Sequence, residues 1–512
     1  DPKVYDMICE ADTIGVFQIE SRAQMSMLPR LKPKNFYDLV IEVAIVRPGP
    51  IQGDMVHPYL RRRNGLEPVE YPSKELKDIL GRTLGVPLFQ EQAMEIAIVA
   101  AGYTPAEADM LRRSMATFKA KGQVSYHKQK LINGMIANGY EEEFATRVFK
   151  QLEGFGSYGF PESHAASFAL LVYVSSWIKC HYPDVFAAAL LNSLPMGFYQ
   201  PAQIVIDARK HVEVLPVDIN HSCWDNTLEE KNGKYCKLRL GFRQIKGLKQ
   251  EEMMLLVHNR NGGYTNIHSL RDLGLNQTAL EQLADADAFR SIGLDRRSAL
   301  WEASALSDRP MGLFRGQDSG SVAEQSITLP KMTDAEHVLQ DYSSTSLSLK
   351  AHPVSFVRQH LYEENVLSSK ELDQWADGTL VRVAGVVLVR QRPGTASGIC
   401  FITIEDETGV VNLVVFKKLF EKYRRIITQA RLLMVEGKLQ KEDSVTHVVV
   451  RQCYDMTGLL QELNIPLPEE PLAVSMSRAD EHPGDDYTAK DKRTKKRNIV
   501  QGEIFPSARN FK

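Results

Sequence analysis

The sequence predicts a multidomain chain, mainly α-helical over its first part and closing on an all-β barrel. Three observations carry that prediction. Over residues 1–195 apolar side chains recur at helical spacing between short loops marked by Pro and Gly. From Val214 to Leu240 the pattern turns to short strands, and two helical pairs follow. Between residues 380 and 453 alternating β-branched runs take over, with a single helix among them. At 512 residues the chain is also long for one domain.

The helical part has readable boundaries. Thr104-Pro105-Ala106-Glu107 combines an N-cap, a proline at the first helical position and a carboxylate at the third. Ala108, Leu111, Met115 and Phe118 follow as a buried stripe, with Arg112 and Arg113 beside it. A second helix is expected after the loop Gly154–Glu162, with Ser163 as its cap, an apolar core-forming body from Ala165 to Ile178, and Pro183 beyond its end. Further on, the helical pairs surround Ile245-Lys246-Gly247-Leu248 and Leu283–Phe289. Residues 307–350, rich in Ser, Thr, Gln and Asp, read as a partly ordered linker.

In the β part, strand-like runs appear at Val381–Val389, Ile399–Ile404, Val410–Phe416, Leu432–Gly437 and His447–Cys453. A helix at Lys417–Gln429 falls between the third and fourth, which is the pattern of an OB barrel. From about Leu459 prolines and acids lead into the basic run Lys490–Arg497, and disorder is expected.

Composition excludes several classes. Charged residues make up 25% and hydrophobic residues 43%, as in ordinary globular proteins. A net charge of -2 excludes a uniformly basic nucleic-acid coat, although positive charge can still be concentrated locally. Cysteines at 9, 180, 223, 236, 400 and 453 form no Cys-x-x-Cys pair, which weighs against a zinc site or a disulfide framework. The apolar run near Phe168–Val174 is too short to span a membrane, and no signal peptide precedes the first charges. A cytoplasmic location and no membrane partner are expected. The chain starts at Asp1 rather than Met, in mid-pattern, and reads as a fragment or processed product.

Several clusters could carry chemistry. Gly154, Gly156 and Gly159 permit close backbone approach to a ligand, and the helix opened by His164 favours an anion; a tight turn capping a buried helix is the alternative. Arg112 and Arg113 offer charge-assisted hydrogen bonds to phosphate, or form a solvated face. Arg61-Arg62-Arg63 reads as a solvated face or a DNA-backbone contact. In the barrel, Arg390, Arg392, Phe401 and Lys438 are candidates for binding single-stranded nucleic acid, with Phe401 equally readable as core. Two-metal phosphoryl transfer needs closely set carboxylates. Asp285-Ala286-Asp287 has the spacing but lies in a turn, Glu405–Gly409 reads as a hairpin turn, and Asp485-Asp486 sits in the tail.

Longer segments give these clusters a context. Gly15–Arg22, Arg47–Pro50, Phe89–Gln92, Ala108–Arg113 and Tyr158–Ala169, in that order, resemble the fingers of bacterial C-family DNA polymerases, the family of the polymerase III alpha subunit. Leu190–Tyr199 and Pro201–Ile204 resemble its error-prone branch. The resemblance implies that Arg112 and Arg113 hold the incoming dNTP. It implies further that Tyr158 and His164 face its base and sugar, with His164 screening the 2′-hydroxyl, and that Arg22, Arg47 and Gln90 line the same cleft. In this family the catalytic carboxylates lie in a palm N-terminal to the fingers. The intact enzyme would then use Mg2+, while this chain alone would bind none and be inactive.

The same resemblance implies fingers at 1–240, tandem helix-hairpin-helix units at 241–306, a linker and clamp-binding-like region at 307–375, an OB domain at 376–458 and a largely disordered basic tail at 459–512. Lys246 and Gly247 would meet phosphates of primer-template DNA, whereas Asp287 stands where the second hairpin's glycine is expected. Pro310-Met-Gly-Leu-Phe314 keeps only the end of a clamp-binding peptide. The sliding clamp is then reached indirectly, through accessory mutagenesis proteins. The expected function is part of an error-prone DNA polymerase acting in translesion synthesis. The alternatives are a replicative alpha-subunit fragment and a non-catalytic DNA-binding module.

Overall fold

A computed structural model describes residues 1–46, 53–115, 124–153, 160–196, 199–306, 329–392, 398–442, 445–461, 463, 476–477 and 509–511. The chain divides into two compact units, residues 1–181 and 182–512.

The described residues of the first unit are helical: α1 (Pro2–Cys9), α2 (Arg22–Leu31), α3 (Phe36–Ile45), α4 (Gly53–Arg63), α5 (Lys74–Leu80), α6 (Gln90–Ala101), α7 (Pro105–Met115), α8 (Val124–Ala137), α9 (Glu142–Glu153) and α10 (Glu162–His181). Their starts follow local chemistry. Asn35 and Asp38 form a capping box on α3, and Thr104 and Glu107 exchange the hydrogen bonds expected at the start of α7. Ala108 and Leu111 are buried as the stripe requires.

Helix α10 departs from expectation in two ways. It begins at Glu162, before the expected cap Ser163, because Ala165 already donates to the Pro161 carbonyl at 3.0 Å. It is also core on one face only. Ala165, Ala169 and Val172 are buried against the first unit, whereas Leu170, Leu171, Val174 and Trp177 are exposed.

The arginine run at the end of α4 is mainly structural. Arg63 grips the Asp38 carboxylate at 2.6 and 2.9 Å and also donates to the Leu31 carbonyl at 2.7 Å. Arg62 donates to the Leu84 carbonyl at 2.8 Å and pairs with Glu67 at 3.2 Å. Of the three, only Arg61 is exposed.

The second unit begins with α11 (Pro183–Asn192), which Pro183 opens, and α12 (Pro201–Ala208). A small sheet follows, β1 (Val214–Leu215), β2 (Thr227–Asn232) and β3 (Tyr235–Arg239), in the order β1-β3-β2. Then come α13 (Gln250–His258), α14 (Ile267–Leu273), α15 (Gln277–Asp285) and α16 (Arg296–Ala305). The first hairpin is asymmetric: one 3-10 turn, Phe242–Gln244, stands in for its leading helix, and Gly247 turns the chain with φ +85°. A Cβ on Gly247 would run into the Gln282 amide of α15. Gly247→Ala is therefore expected to lower stability by about 1–2 kcal/mol, from the left-handed backbone and the lost close approach. A urea midpoint equal to wild type would show that the turn relaxes instead.

The stretch read as a linker contains folded structure. Residues 307–328, including Pro310–Phe314, lie outside the described residues. Helices α17 (Asp334–Thr345) and α18 (Arg358–Glu363) form a layer in which Val338, Leu339, Tyr342, Val354 and Leu361 pack with Ala384, Leu432 and Met434 of the barrel. Arg296 of α16 is buried against Asp341 of α17, and Arg358 pairs with Asp406 at 3.2 Å and Glu407 at 2.5 Å. Polar composition hid this layer because its apolar residues are spaced among Ser, Thr, Asp and Gln and form one cluster only with barrel residues distant in the chain.

The barrel strands are β4 (Leu380–Gln391), β5 (Cys400–Glu405), β6 (Val410–Val415), β7 (Leu432–Glu442) and β8 (Val445–Asp455). Their order is β5-β6-β8-β7-β4, closed by a β4–β5 pairing around a core that includes Val381, Val383, Ile402, Ile404, Leu413, Leu439 and Val448. The expected single helix is two short ones, α19 (Lys417–Lys422) and α20 (Arg424–Gln429). The turn Asp406–Gly409 is tied by the Asp406 side chain, which accepts from the Thr408 and Gly409 amides at 2.8 and 3.0 Å. After α21 (Thr457–Gln461), the described residues of the tail form the short strands β9 (Met476–Ser477) and β10 (Arg509–Phe511); β10 lies parallel to β4.

Candidate nucleic-acid interface

In the first unit, the start of α10 is held against the start of α6. Phe89 and Phe160 form a parallel bridge, and the Gln90 amide donates to the Phe160 carbonyl at 3.1 Å. The Glu162 amide donates to Glu91 Oε2 at 3.0 Å, while Tyr37 donates to Glu162 Oε1 at 2.7 Å. A protein carboxylate thus already serves one of the free amides of α10, the end at which an anion is expected. His164 lies between Phe160 and Phe168, with ring centroids 5.1 and 4.2 Å away, and Phe17 meets Phe168 edge-on at 5.2 Å. The structure therefore brings Gln90 and the half-buried His164 to the same corner. Arg22 opens α2, and its side chain is outside the described residues, as are Tyr158 and Arg47.

Arg112 and Arg113 lie in the last turn of α7, which packs against α6. Both reach out from the helix and share Asp109, whose carboxyl the two guanidinium groups hold below its usual range.

In the hairpin region, Lys246 is exposed, but its ammonium caps the end of α17, donating to the Tyr342 and Ser343 carbonyls at 3.2 and 2.8 Å. Gly247 is exposed at the turn, with a left-handed backbone and the Gln282 amide packed close against it. Asp287 adopts the glycine-like φ of +60°, and its carboxylate is tied down by Arg290 at 2.8 Å and Lys350 at 3.5 Å. Its partner in spacing, Asp285, accepts from Gln340 at 3.0 Å, and burial raises its carboxyl above the usual range. The two carboxylates thus belong to separate networks and do not fit a shared Mg2+. Among the described residues no three His, Cys, Asp or Glu side chains converge as metal ligands.

The barrel register sorts the four candidates. Phe401 pairs with Val414, Val414 with Val449, Val449 with Lys438 and Lys438 with Leu380. Neighbours one residue away, Ile402, Leu413, Val448 and Leu439, are all in the core, so this row faces outward. Phe401 is 39% exposed and Lys438 is exposed, which decides the open question about Phe401 in favour of the surface. Two residues along each strand lies a polar row, Thr403, Asn412, His447 and Gln440. Thr403 of that second row is buried and donates to Asn412 at 3.2 Å, so the surface open to a base is the aromatic and apolar row, which can stack bases.

Gln391, not Arg392, pairs with Phe401 in this row. The half-buried Arg392, one residue past β4, has its guanidinium 4.5 Å over the ring of the core residue Phe420 and lies with Lys417 close to Gly398. Arg390 does not belong to the face. It is buried, and it donates to the Ile427 carbonyl at 2.5 Å and to the Ala430 carbonyl, capping α20 from inside.

Sequence reasoning missed Glu91, which comes from a different helix and leaves no local signal. It also passed over Asp109, although the Asp-x-x-Arg-Arg spacing places that carboxylate beside both arginines.

The hairpin region and the closed barrel place the chain in a multidomain class whose modules are similar to nucleic-acid-binding ones. Residues 1–139 match the bacterial DNA polymerase III alpha subunit finger domain, 211–299 a helix-hairpin-helix motif and 381–456 an OB-fold nucleic acid binding domain. The chain is similar over its first part to bacterial DNA polymerase III alpha subunits, and its similarity to curated proteins runs to error-prone DNA polymerases. It is 57% identical over 488 residues to a protein named error-prone DNA polymerase from Sinorhizobium medicae, covering 90% of this chain and 44% of that protein. It is 54% identical over 511 residues to error-prone DNA polymerase 3 of Agrobacterium fabrum, covering 98% of this chain and 47% of that protein. The chain thus spans less than half the length of these curated relatives.

Proposed function

We propose that this chain is the finger, hairpin and OB-barrel portion of an error-prone DNA-directed DNA polymerase of the translesion type. The observation that carries this reading is the half-buried Arg112 and the exposed Arg113 side by side in a matched finger domain, on a chain that also matches a helix-hairpin-helix motif and an OB-fold nucleic acid binding domain. Arg112 and Arg113 grip the triphosphate of the dNTP, with Gln90 and His164 beside it. His164, wedged between Phe160 and Phe168, has a fixed ring against which a ribose 2′-hydroxyl would be screened. Gly247 offers its backbone to duplex phosphates, and the outer row of the barrel receives single-stranded template. Mg2+ and the carboxylates holding it belong to the intact cytoplasmic enzyme, which reaches the sliding clamp through accessory mutagenesis proteins.

Binding of a fluorescent primer-template is expected to weaken steeply with salt, because each phosphate contact releases counterions. Affinity that does not change between low and physiological salt would overturn the DNA path proposed here. The chain alone is expected not to extend a primer; robust incorporation would place the catalytic carboxylates within it. In the intact enzyme, His164→Ala is expected to relax discrimination against ribonucleotides, and unchanged discrimination would remove His164 from that role.

A further inference from the structure

Arg112 and Arg113 already hold an anion. Arg112 donates to Asp109 Oδ1 from Nε at 3.0 Å and from Nη2 at 2.8 Å, and Arg113 Nε meets Oδ2 at 2.8 Å. One carboxylate therefore sits side-on between two guanidinium groups. Helix geometry makes this possible, since Asp109 is three residues before one arginine and four before the other. The other acidic side chain of this helix is engaged elsewhere: Glu107 is taken by Lys130 at 2.5 Å and by the Thr104 amide at 3.0 Å. Each arginine spends only part of its donor set on Asp109, so outward-facing N–H groups remain. The cluster is also open, Arg113 being 74% exposed in its side chain.

We propose that Asp109 is an internal counter-anion that occupies the arginine pair until a polyphosphate displaces it, and so sets the pair's affinity for nucleoside triphosphates. This rests on the reading of Arg112 and Arg113 as triphosphate ligands. With Asp109 in place the cluster carries one net positive charge; without it, two. Exposed ion pairs are weak, so a ligand with several negative charges can outbid one carboxylate on both guanidinium groups at once. The same carboxylate is placed to reclaim the arginines when the ligand leaves.

The test is equilibrium dialysis of dATP, without metal, against the full chain, Asp109→Asn, Asp109→Ser and the double variant Arg112→Ala/Arg113→Ala. Both Asp109 variants are expected to bind dATP about 3–10-fold more tightly than wild type at low salt, with a steeper salt dependence. The double variant is expected to lose at least about tenfold, as two charge-assisted contacts require. If wild type does not bind dATP, or the double variant binds it as wild type does, the arginine reading fails and the proposal with it. If the double variant loses binding but both Asp109 variants bind no more tightly than wild type, the counter-anion role alone is overturned. Thermal melts of the exposed-site variants should match wild type, which separates these outcomes from misfolding.

Discussion

Arg390→Ala is expected to lower the stability of the barrel by about 2–4 kcal/mol, because two helix-end carbonyls lose a buried donor and the side chain leaves a void. In the native barrel those carbonyls belong to Ile427 and Ala430, at the end of α20, where intrahelical partners run out. Burial pushes the guanidinium down to about 10, yet it stays protonated at neutral pH. Removing it relieves that desolvation cost, so the loss is smaller than two orphaned acceptors alone imply. Arg390→Met, which keeps the apolar stem, should lose less. Urea unfolding followed by circular dichroism measures both. Wild-type stability combined with weakened DNA binding would instead return Arg390 to the DNA surface.

The opposite pattern is expected for Phe401→Ala. Affinity for single-stranded oligonucleotides should fall by about 1–3 kcal/mol, the range for losing one stacking platform, with unfolding midpoints little changed. Phe401 is partly exposed on a strand whose inward neighbours Cys400 and Ile402 are in the core, so its removal opens no interior cavity. Lys438→Ala, in the same row, should lower the salt slope by about one contact without altering base preference. Duplex binding should respond less to Phe401→Ala than single-strand binding, because a paired base cannot stack on the ring. If Phe401→Ala leaves oligonucleotide affinity unchanged, the outer row is not the binding face.

Much of this architecture was legible in the residues alone. The Thr104 and Glu107 capping pair starts α7 where the motif says it should, since the partners are three residues apart and need nothing else. Gly247 marks its own turn because a left-handed backbone suits a residue without a Cβ. The first barrel strands were legible from period-two alternation. What could not be read locally are contacts between distant segments: Glu91 on the start of α10, Lys246 on the end of α17, and the helices at 334–363 that pack on the barrel.

The clearest division falls within β4. Alternation along Val381 and Val383 puts odd positions inside, which predicts an outward Arg390. The register against β5 shifts between Val387 and Val389, and beyond that irregularity the even position faces in. One extra residue in a strand reverses every side chain after it, and only pairing with a second strand fixes where it falls. The sequence by itself determined that β4 is a strand and that its end is basic. The tertiary structure decided that Arg390 caps a helix from within, while Gln391 beside it takes the outer row with Phe401.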